Sequence, residues 1–581
     1  GWGPESMFVA YNQVYPPSLA NIEARGASPD RSHEAYLDEL VTKGLLGLIS
    51  HLFVLVSFFS LASRLIRRIG DWRTQLLLIT CISAVTAHIF EGLFGIPIVS
   101  SLMMLWLSIA LVFVIGVLEG QYSISAPVAV AEAEAQPEQA AAPSAAPAVK
   151  PGAKGQGGSS RRSRQSAVAR GTQSRASGGR RGRGGDPSLR VLYAIIFVAA
   201  LWGAWSMNID NVYADMRFQQ GQSYVDASNA GLEQQIVGMN FILQAIRMEP
   251  RQDFYYLNLG RTLMNITDIR RQMSDTGIGQ PKANPQLSDL LRLQDALAVQ
   301  TFVLRQSPME LLSYARVVLE YARDLNPMNK DHYANLARMY NFWYTRFDRN
   351  IEQLRLSTEW YEKAHAVAPQ DVVILNEYAG SFMLQGNDAQ SRGDTAAASA
   401  AFAEASRLLE RSKQLDPNYP DTDSRIAELL RLQGNAEEAV NRYIALIEKN
   451  PHALDSQLNG IMDGLRDQPA LLLRLRDAYD VALAKTPDDP SLLSFVGTLS
   501  MYGGDLERAT ETYAHQAQLQ PDSIEARRNY MLVLSDTKQF AQAASEAEAL
   551  LQIFNSLQST PEQISQIEAL ISYYKLQSIN P

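Results

Sequence analysis

LQGNAEEAVNRYIALIEKNP, residues 432–451, decides the fold. Gly434 falls where a turn joins two helices, and the segment after it runs as one helix. Pro451 closes that helix, because proline cannot continue a helix and biases the residue before it away from helical geometry. GGDLERATETYAHQAQLQP, residues 503–521, follows the same plan from Gly503-Gly504 to Pro521. The same ending recurs at Glu249-Pro250, Asn326-Pro327, Ala368-Pro369, Asp416-Pro417 and Thr486-Pro487. From Pro417 onward these prolines are spaced by 34, 36 and 34 residues.

A repeated unit of this length, two helices with a glycine turn between them, resembles the tetratricopeptide repeat. The resemblance spans 208–555 and is strongest from Asp331 on; 556–581 reads as a C-terminal capping helix. Small residues recur where two helices must approach, as at Ala364, and Gly386 is expected in an inter-helix turn. Residues 274–289 (SDTGIGQPKANPQLSD) read as an inserted loop. Each such repeat buries its apolar face only against its neighbours, giving an all-α solenoid with a groove suited to protein partners. Tyr333, Tyr340, Trp343, Tyr344, Trp360 and Tyr361 sit at helical spacing and are expected mostly in the core. His332, His365, His452 and His515 are scattered and form no metal-ligand pattern.

Upstream the chain changes character. Residues 44–62, 76–94 and 98–117 are apolar runs near the ~20 residues that cross a bilayer. Residues 189–207 form a fourth, with Trp202 and Trp205 suited to an interface. Together they predict a polytopic helical membrane region ahead of the solenoid. Arg64, Arg67, Arg68 and Arg73 follow the first run, so that connection is expected in the cytoplasm. Met103, Met104 and Trp106 read as lipid-facing or packing residues, and Cys81, the one cysteine, as a small core residue. A lone cysteine excludes an intramolecular disulfide framework.

Residues 120–188 are low in complexity: Ala/Pro/Glu-rich first, then Gly/Ser/Arg-rich from Lys150. Neither half can bury enough apolar area to offset its ordering entropy, and both read as a disordered cytoplasmic linker. Residues 150–190 hold eleven Lys/Arg against one acid in a chain of net charge −9. Without aromatics for base stacking, this basic run reads as a topology-setting tether, with contact to anionic membrane lipid, rather than a nucleic-acid site. Two basic clusters thus place 1–43 and the repeats together on the extracytoplasmic side.

Residues 1–43 form a polar loop punctuated by Gly and Pro, with Arg25, Asp30, Arg31, His33 and Glu34 close together. Ionisable groups at the mouth of a membrane helix are costly to desolvate, which singles them out. His33-Glu34, nine residues and Gly44-Leu45-Leu46-Gly47 resemble a catalytic-loop motif of the O-antigen ligase and polymerase family, as do Gly1-Trp2-Gly3-Pro4-Glu5 and Asp30-Arg31. Glu34 departs from the family, where Asn, Ser or Gln is usual. The match covers roughly the first 120 residues, and the chain, beginning at Gly1, is expected to be the C-terminal portion of a longer protein.

The resemblance implies a membrane glycosyltransferase that moves a glycan from undecaprenyl diphosphate to a glycan or protein acceptor, without metal or other cofactor. His33 would act as base or orient the acceptor, since an imidazole titrates near neutrality. Arg31 would face the diphosphate through its bidentate guanidinium; Arg25, Asp30 and Glu34 would bind substrate. His88 and Glu91, three apart on one helix face, either line the same cavity or are hydrated at the interface. The alternative is a non-catalytic, membrane-anchored repeat scaffold of an envelope assembly. No P-loop, GxGxxG or readable Ser-His-Asp pattern points elsewhere.

Overall fold

The computed structural model describes residues 1–3, 6–23, 29, 31–95, 98–121, 187–204, 209–228, 230–273, 277–557 and 560–579. Among these the protein is all-α, with no strand. Contacts divide it into two units: residues 1–47 with 208–581, and residues 48–207.

A short helix α1 (Met7–Tyr11) and a 3-10 turn (Pro17–Asn21) precede α2 (Ala35–Arg68). The helix starts nine residues before the apolar run predicted from hydropathy. Glu34 caps it, and Lys43 pairs with Glu39 one turn back at 2.5 Å. Hydropathy registers the apolar run but not the polar helix leading into it. Gly44, where the run was expected to begin, is a break inside α2, with φ +73° and ψ −174°. That conformation favours glycine, and a Cβ there would lie 2.4 Å from the Gly1 nitrogen. The N-terminal strand of chain lies along this bend: the Trp2 amide donates to the Val41 carbonyl at 2.8 Å and the Gly3 amide to Thr42 at 2.9 Å.

In residues 48–207, α2 continues, followed by α3 (Trp72–Gly92), α4 (Val99–Leu118) and α5 (Pro187–Ala204). By length and composition, α2, α3 and α4 can each cross a membrane. Each buries one stripe: Leu55, Phe58, Ala62 and Leu65; Leu78, Cys81 and Val85; Leu105, Ser108, Val112 and Ile115. Steps of three and four place each set on one helix face. The other faces, with Phe53, Leu76, Met103, Met104 and Trp106, are exposed and apolar. The Asp71 carboxylate caps α3 by accepting the Thr74 amide at 3.0 Å. Helix α5 covers most of the fourth predicted run; Trp205, and the predicted linker from 122 to 186, lie outside the described residues.

The array begins with α6 (Asp210–Val225), α7 (Leu232–Met248) and α8 (Asp253–Met273). Next come α9 (Leu287–Leu291) and α10 (Ala296–Arg305), then α11 (Pro308–Leu325). Helix α8 packs directly on α11, while α9 and α10 pack against α7. The stretch expected as a loop through Asp289 is therefore partly helical, because Leu290 must bury fully in the core.

Regular pairs follow: α12 (Lys330–Trp343) with α13 (Ile351–Val367), α14 (Val372–Ser391) with α15 (Thr395–Leu415), and α16 (Pro420–Leu432) with α17 (Ala436–Lys449). Then come the short α18 (Leu458–Gly464) and α19 (Pro469–Leu483), which packs on α17 and on α20, followed by α20 (Pro490–Gly503) with α21 (Leu506–Leu519) and α22 (Ile524–Asp536) with α23 (Phe540–Ser556). Helix α24 (Pro561–Ile579) closes on α23.

The Xaa-Pro residues end the second helix of their pairs, with Ala368, Asp416, Asn450 and Gln520 as C-caps. Asp371, Asp394, Asp489 and Asp505 cap the helices that follow. First helices form an inner layer, in which α8 touches α12 and α14 touches α16. Gly434 and Gly504 take positive φ in the turns, as the sequence predicts. Gly386 does not: it lies inside α14, where a Cβ would meet the Phe402 ring of α15 at 2.4 Å. It is there for close packing, and Gly393 makes the turn.

Candidate functional site

In the N-terminal loop, His33 is exposed immediately before the cap of α2. Glu34 makes that cap, its carboxylate accepting the Tyr36 amide at 3.1 Å and the Leu37 amide at 2.5 Å. This is work an Asn or Ser side chain also does at a helix start. The Arg31 Nε lies 3.6 Å from the Asp38 carboxylate. Arg25 and Asp30 fall outside the described residues. His88 and Glu91 belong to the other unit, where the His88 Nδ1 is 3.6 Å from Glu91 Oε2. His88 is nearly buried and Glu91 half exposed.

The inner layer of the array holds a denser set of groups. Arg338 of α12 grips Glu377 of α14 through Nε (3.1 and 3.0 Å) and Nη2 (3.0 Å). Such a bidentate pair fixes both side chains across the repeat boundary. The Tyr361 hydroxyl donates to the same carboxylate at 3.3 Å. Burial, and then the charge of Glu377, raise the Tyr361 phenol well above its ordinary range, so it stays a donor. On α16, Arg425 donates from Nε to Asp421 at 2.8 Å, and Arg431 holds Glu428 at 2.8 and 2.6 Å. Arg431 also donates to the Gly464 carbonyl at 3.2 Å, and Tyr443 to Glu428 at 3.3 Å.

These pairs surround a cavity of about 450 Å³ between α12, α14 and α16. Met383, Leu384 and Leu432 form its apolar floor. The Arg425 Nη1 lies over Gly380, 2.9 Å from where a Cβ would be. Asn341 donates to the Ser381 hydroxyl at 2.8 Å, while its own Oδ1 is buried without a partner. The cavity thus offers guanidiniums from Arg425 and Arg431, carboxylates from Glu377 and Glu428, and an apolar floor. It is shaped to hold a polar chain by hydrogen bonds and burial.

Sequence reasoning passed over these residues, though a signal was present. Asn335, Arg338 and Asn341, then Glu377, Gly380 and Met383, then Arg425, Glu428 and Arg431 are each spaced by three and sit at matching places in α12, α14 and α16. Aligning the repeats on their inner helices exposes that column. Of the predicted aromatics, Tyr340, Trp343, Tyr344 and Tyr361 are buried, and Tyr361 also lines the cavity.

No protein-family model and no curated protein matches the chain. Among solved structures, it is similar to the crystal structure of yeast Tom70, at 15% identity over 67% of this chain and 94% of that one, with a TM-score of 0.23. It is also similar to YrrB, described as a TPR protein with an unusual peptide-binding site, at 15% identity over 36% of this chain and 95% of that one, TM-score 0.20. The chain's own helix pairs define its class: an all-α protein with apolar membrane-type helices and a tetratricopeptide-like solenoid.

Proposed function

We propose that the chain is a membrane-anchored repeat scaffold whose inner-layer cavity holds an extended segment of a protein partner. One observation carries this reading: Arg425, Arg431, Glu377 and Glu428 line one apolar-floored space between repeats. A peptide offers the complement, with backbone N–H for the carboxylates and C=O for the arginines. The array would span 208–555, with 556–581 as its cap. The test is a photo-crosslinker in place of Leu384 in the full chain in membranes. A single protein adduct, lost on Arg425→Glu, is expected; lipid adducts only, or an adduct indifferent to Arg425, would sink the reading.

A second reading keeps the chemistry implied by the family resemblance. What supports it is an exposed His33 beside a capped helix start, followed by the Gly44 bend and Gly47, where a Cβ would meet the Lys43 side chain at 2.2 Å. In this reading His33 serves the acceptor hydroxyl, Arg31 the diphosphate, and Arg25, Asp30, Glu34, His88 and Glu91 the polyprenyl-linked glycan or its acceptor. The repeats would then lie on the extracytoplasmic side and present the acceptor. In the full-length protein, His33→Ala should abolish surface glycan; undiminished glycan removes His33 from catalysis. Impermeant labelling of engineered cysteines in the repeats of intact cells tests the sidedness.

A further inference from the structure

The outer layer carries a second group of side chains that the scaffold reading leaves unused. The last turn of α13 and one face of α15 enclose a cleft of about 410 Å³, lined by His365, Pro369, Arg407, Glu410, Arg411 and Gln414. Arg407, Arg411 and Gln414 are spaced by four and three and so share one face of α15. The His365 Nδ1 is buried and has no hydrogen-bond partner. Arg407 is half engaged: its Nε donates to Glu404 at 3.0 Å, and its Nη2 to the same carboxylate at 2.5 Å. That leaves Nη1 turned away from the pair. Glu410 accepts from the Ser406 hydroxyl at 3.1 Å. Arg411 is exposed and, among the described residues, faces no carboxylate within ion-pair distance.

This arrangement runs against its surroundings. Residues 191–581 carry 34 Lys/Arg and 48 Asp/Glu, so acids outnumber cations there. Here two guanidiniums and an imidazole converge with one of them unpaired. Burial, and then the charges of Arg407 and Arg411, hold the His365 imidazole below its ordinary range. Arg407 is balanced by Glu404 and Glu410 lines the same cleft, so Arg411 is the cation there without a carboxylate in ion-pair contact among the described residues.

We propose that the cleft between α13 and α15 is an oxyanion-binding site that takes a phosphate or carboxylate group. Arg411 and the Nη1 of Arg407 supply charged donors, with the His365 ring as part of the cleft wall. A guanidinium pair suits a planar or tetrahedral oxyanion because each presents parallel N–H groups. The site lies on the outer layer and is independent of the inner cavity, so partner and anion could be held at once.

The test is calorimetric titration of the purified full-length chain in detergent with inorganic phosphate and, separately, acetate. Saturable binding is expected, weakened about tenfold or more by Arg411→Gln, which removes a charged hydrogen bond from an exposed position without touching the core. Arg425→Gln, in the inner cavity, should leave the anion affinity unchanged. Binding of phosphate alone assigns a phosphate group as the natural ligand; binding of both assigns a general oxyanion site. No saturable heat with either anion, or an affinity that Arg411→Gln does not move, overturns the proposal. Phosphate should also raise the thermal midpoint of wild type but not of Arg411→Gln, which separates loss of the site from loss of the fold.

Discussion

The two units of this protein specify their packing by opposite means. In residues 48–207, helices meet through stripes of Leu, Val, Ile and Phe, and buried hydroxyls turn back on their own helix, as Ser108 does to the Met104 carbonyl at 2.7 Å. In the array, polar side chains reach from repeat to repeat. His332 of α12 meets Asp253 of α8 at 2.6 Å, Lys330 of α12 meets Asp371 of α14 at 2.5 Å, and Asn376 of α14 donates to Asp421 and Thr422 of α16 at 2.9 and 3.0 Å. Apolar stripes tolerate sliding by a helical turn, whereas a paired charge does not. The difference teaches where register is fixed by chemistry and where it is fixed by shape alone.

The strongest way to break that contrast is to cut one polar staple. His332 is fully buried, so His332→Ala leaves the Asp253 carboxylate facing a void. Urea unfolding of the full chain, followed by circular dichroism, should show a loss of about 3–5 kcal/mol from the transition of the array, with the apolar helices unmoved. The same pair sets an acid limit. Burial pushes the Asp253 carboxyl upward, but the hydrogen bond and charge of His332 bring it below the ordinary carboxylate range. A carboxyl depressed in the folded state stabilises above its unfolded value, near ~3.9, and that stability is lost as pH falls through the folded value. Asp253→Asn should flatten the acid limb of the stability profile.

Shape is probed by Gly386→Leu, which drives a side chain into Phe402. A loss of about 1–3 kcal/mol in the same unfolding transition is expected from overpacking. At the N-terminal bend, Gly44→Ala places a Cβ in a backbone region that resists it, costing about 1 kcal/mol. Hydrogen exchange should read this as faster exchange at the Trp2 and Gly3 amides. The smallest effect belongs to His452, half exposed between Asp455 at 3.0 Å and Asp489 at 3.2 Å. The hydrogen bond to Asp455, then the neighbouring charges, raise its imidazole. Its contribution is full below ~6.5 and fades as pH rises through the raised value, so His452→Ala should remove a shallow slope in thermal midpoint between pH 6 and 8.

Much of the fold could be read from the sequence because its punctuation is covalent. Pro417, Pro451 and Pro521 stop helices wherever they occur, and Gly434 and Gly504 take φ values that other residues resist. The apolar runs stood out for the same reason: length and composition need no partner to be visible. What escaped depends on contact. Leu290 made the inserted stretch helical only because the core around α7 and α11 could bury it. Gly386 looked like a turn residue until Phe402 of the next helix supplied the reason for its small size. The column of Asn341, Glu377 and Arg425 was hidden because each is an ordinary polar residue on its own helix, and only stacking brings them around one cavity. His33, Arg31 and Glu34 were singled out by resemblance; in the structure Glu34 explains itself as a helix cap.

The staples between repeats also govern how the array responds to force. Each joint depends on its immediate neighbours, so tension applied at the far end would not have to overcome every joint together. It would open the terminal pair, pause, and open the next, releasing slack in instalments of one repeat each. Tension on the array would thus be taken up in steps of one repeat before it reached the opposite end of the array.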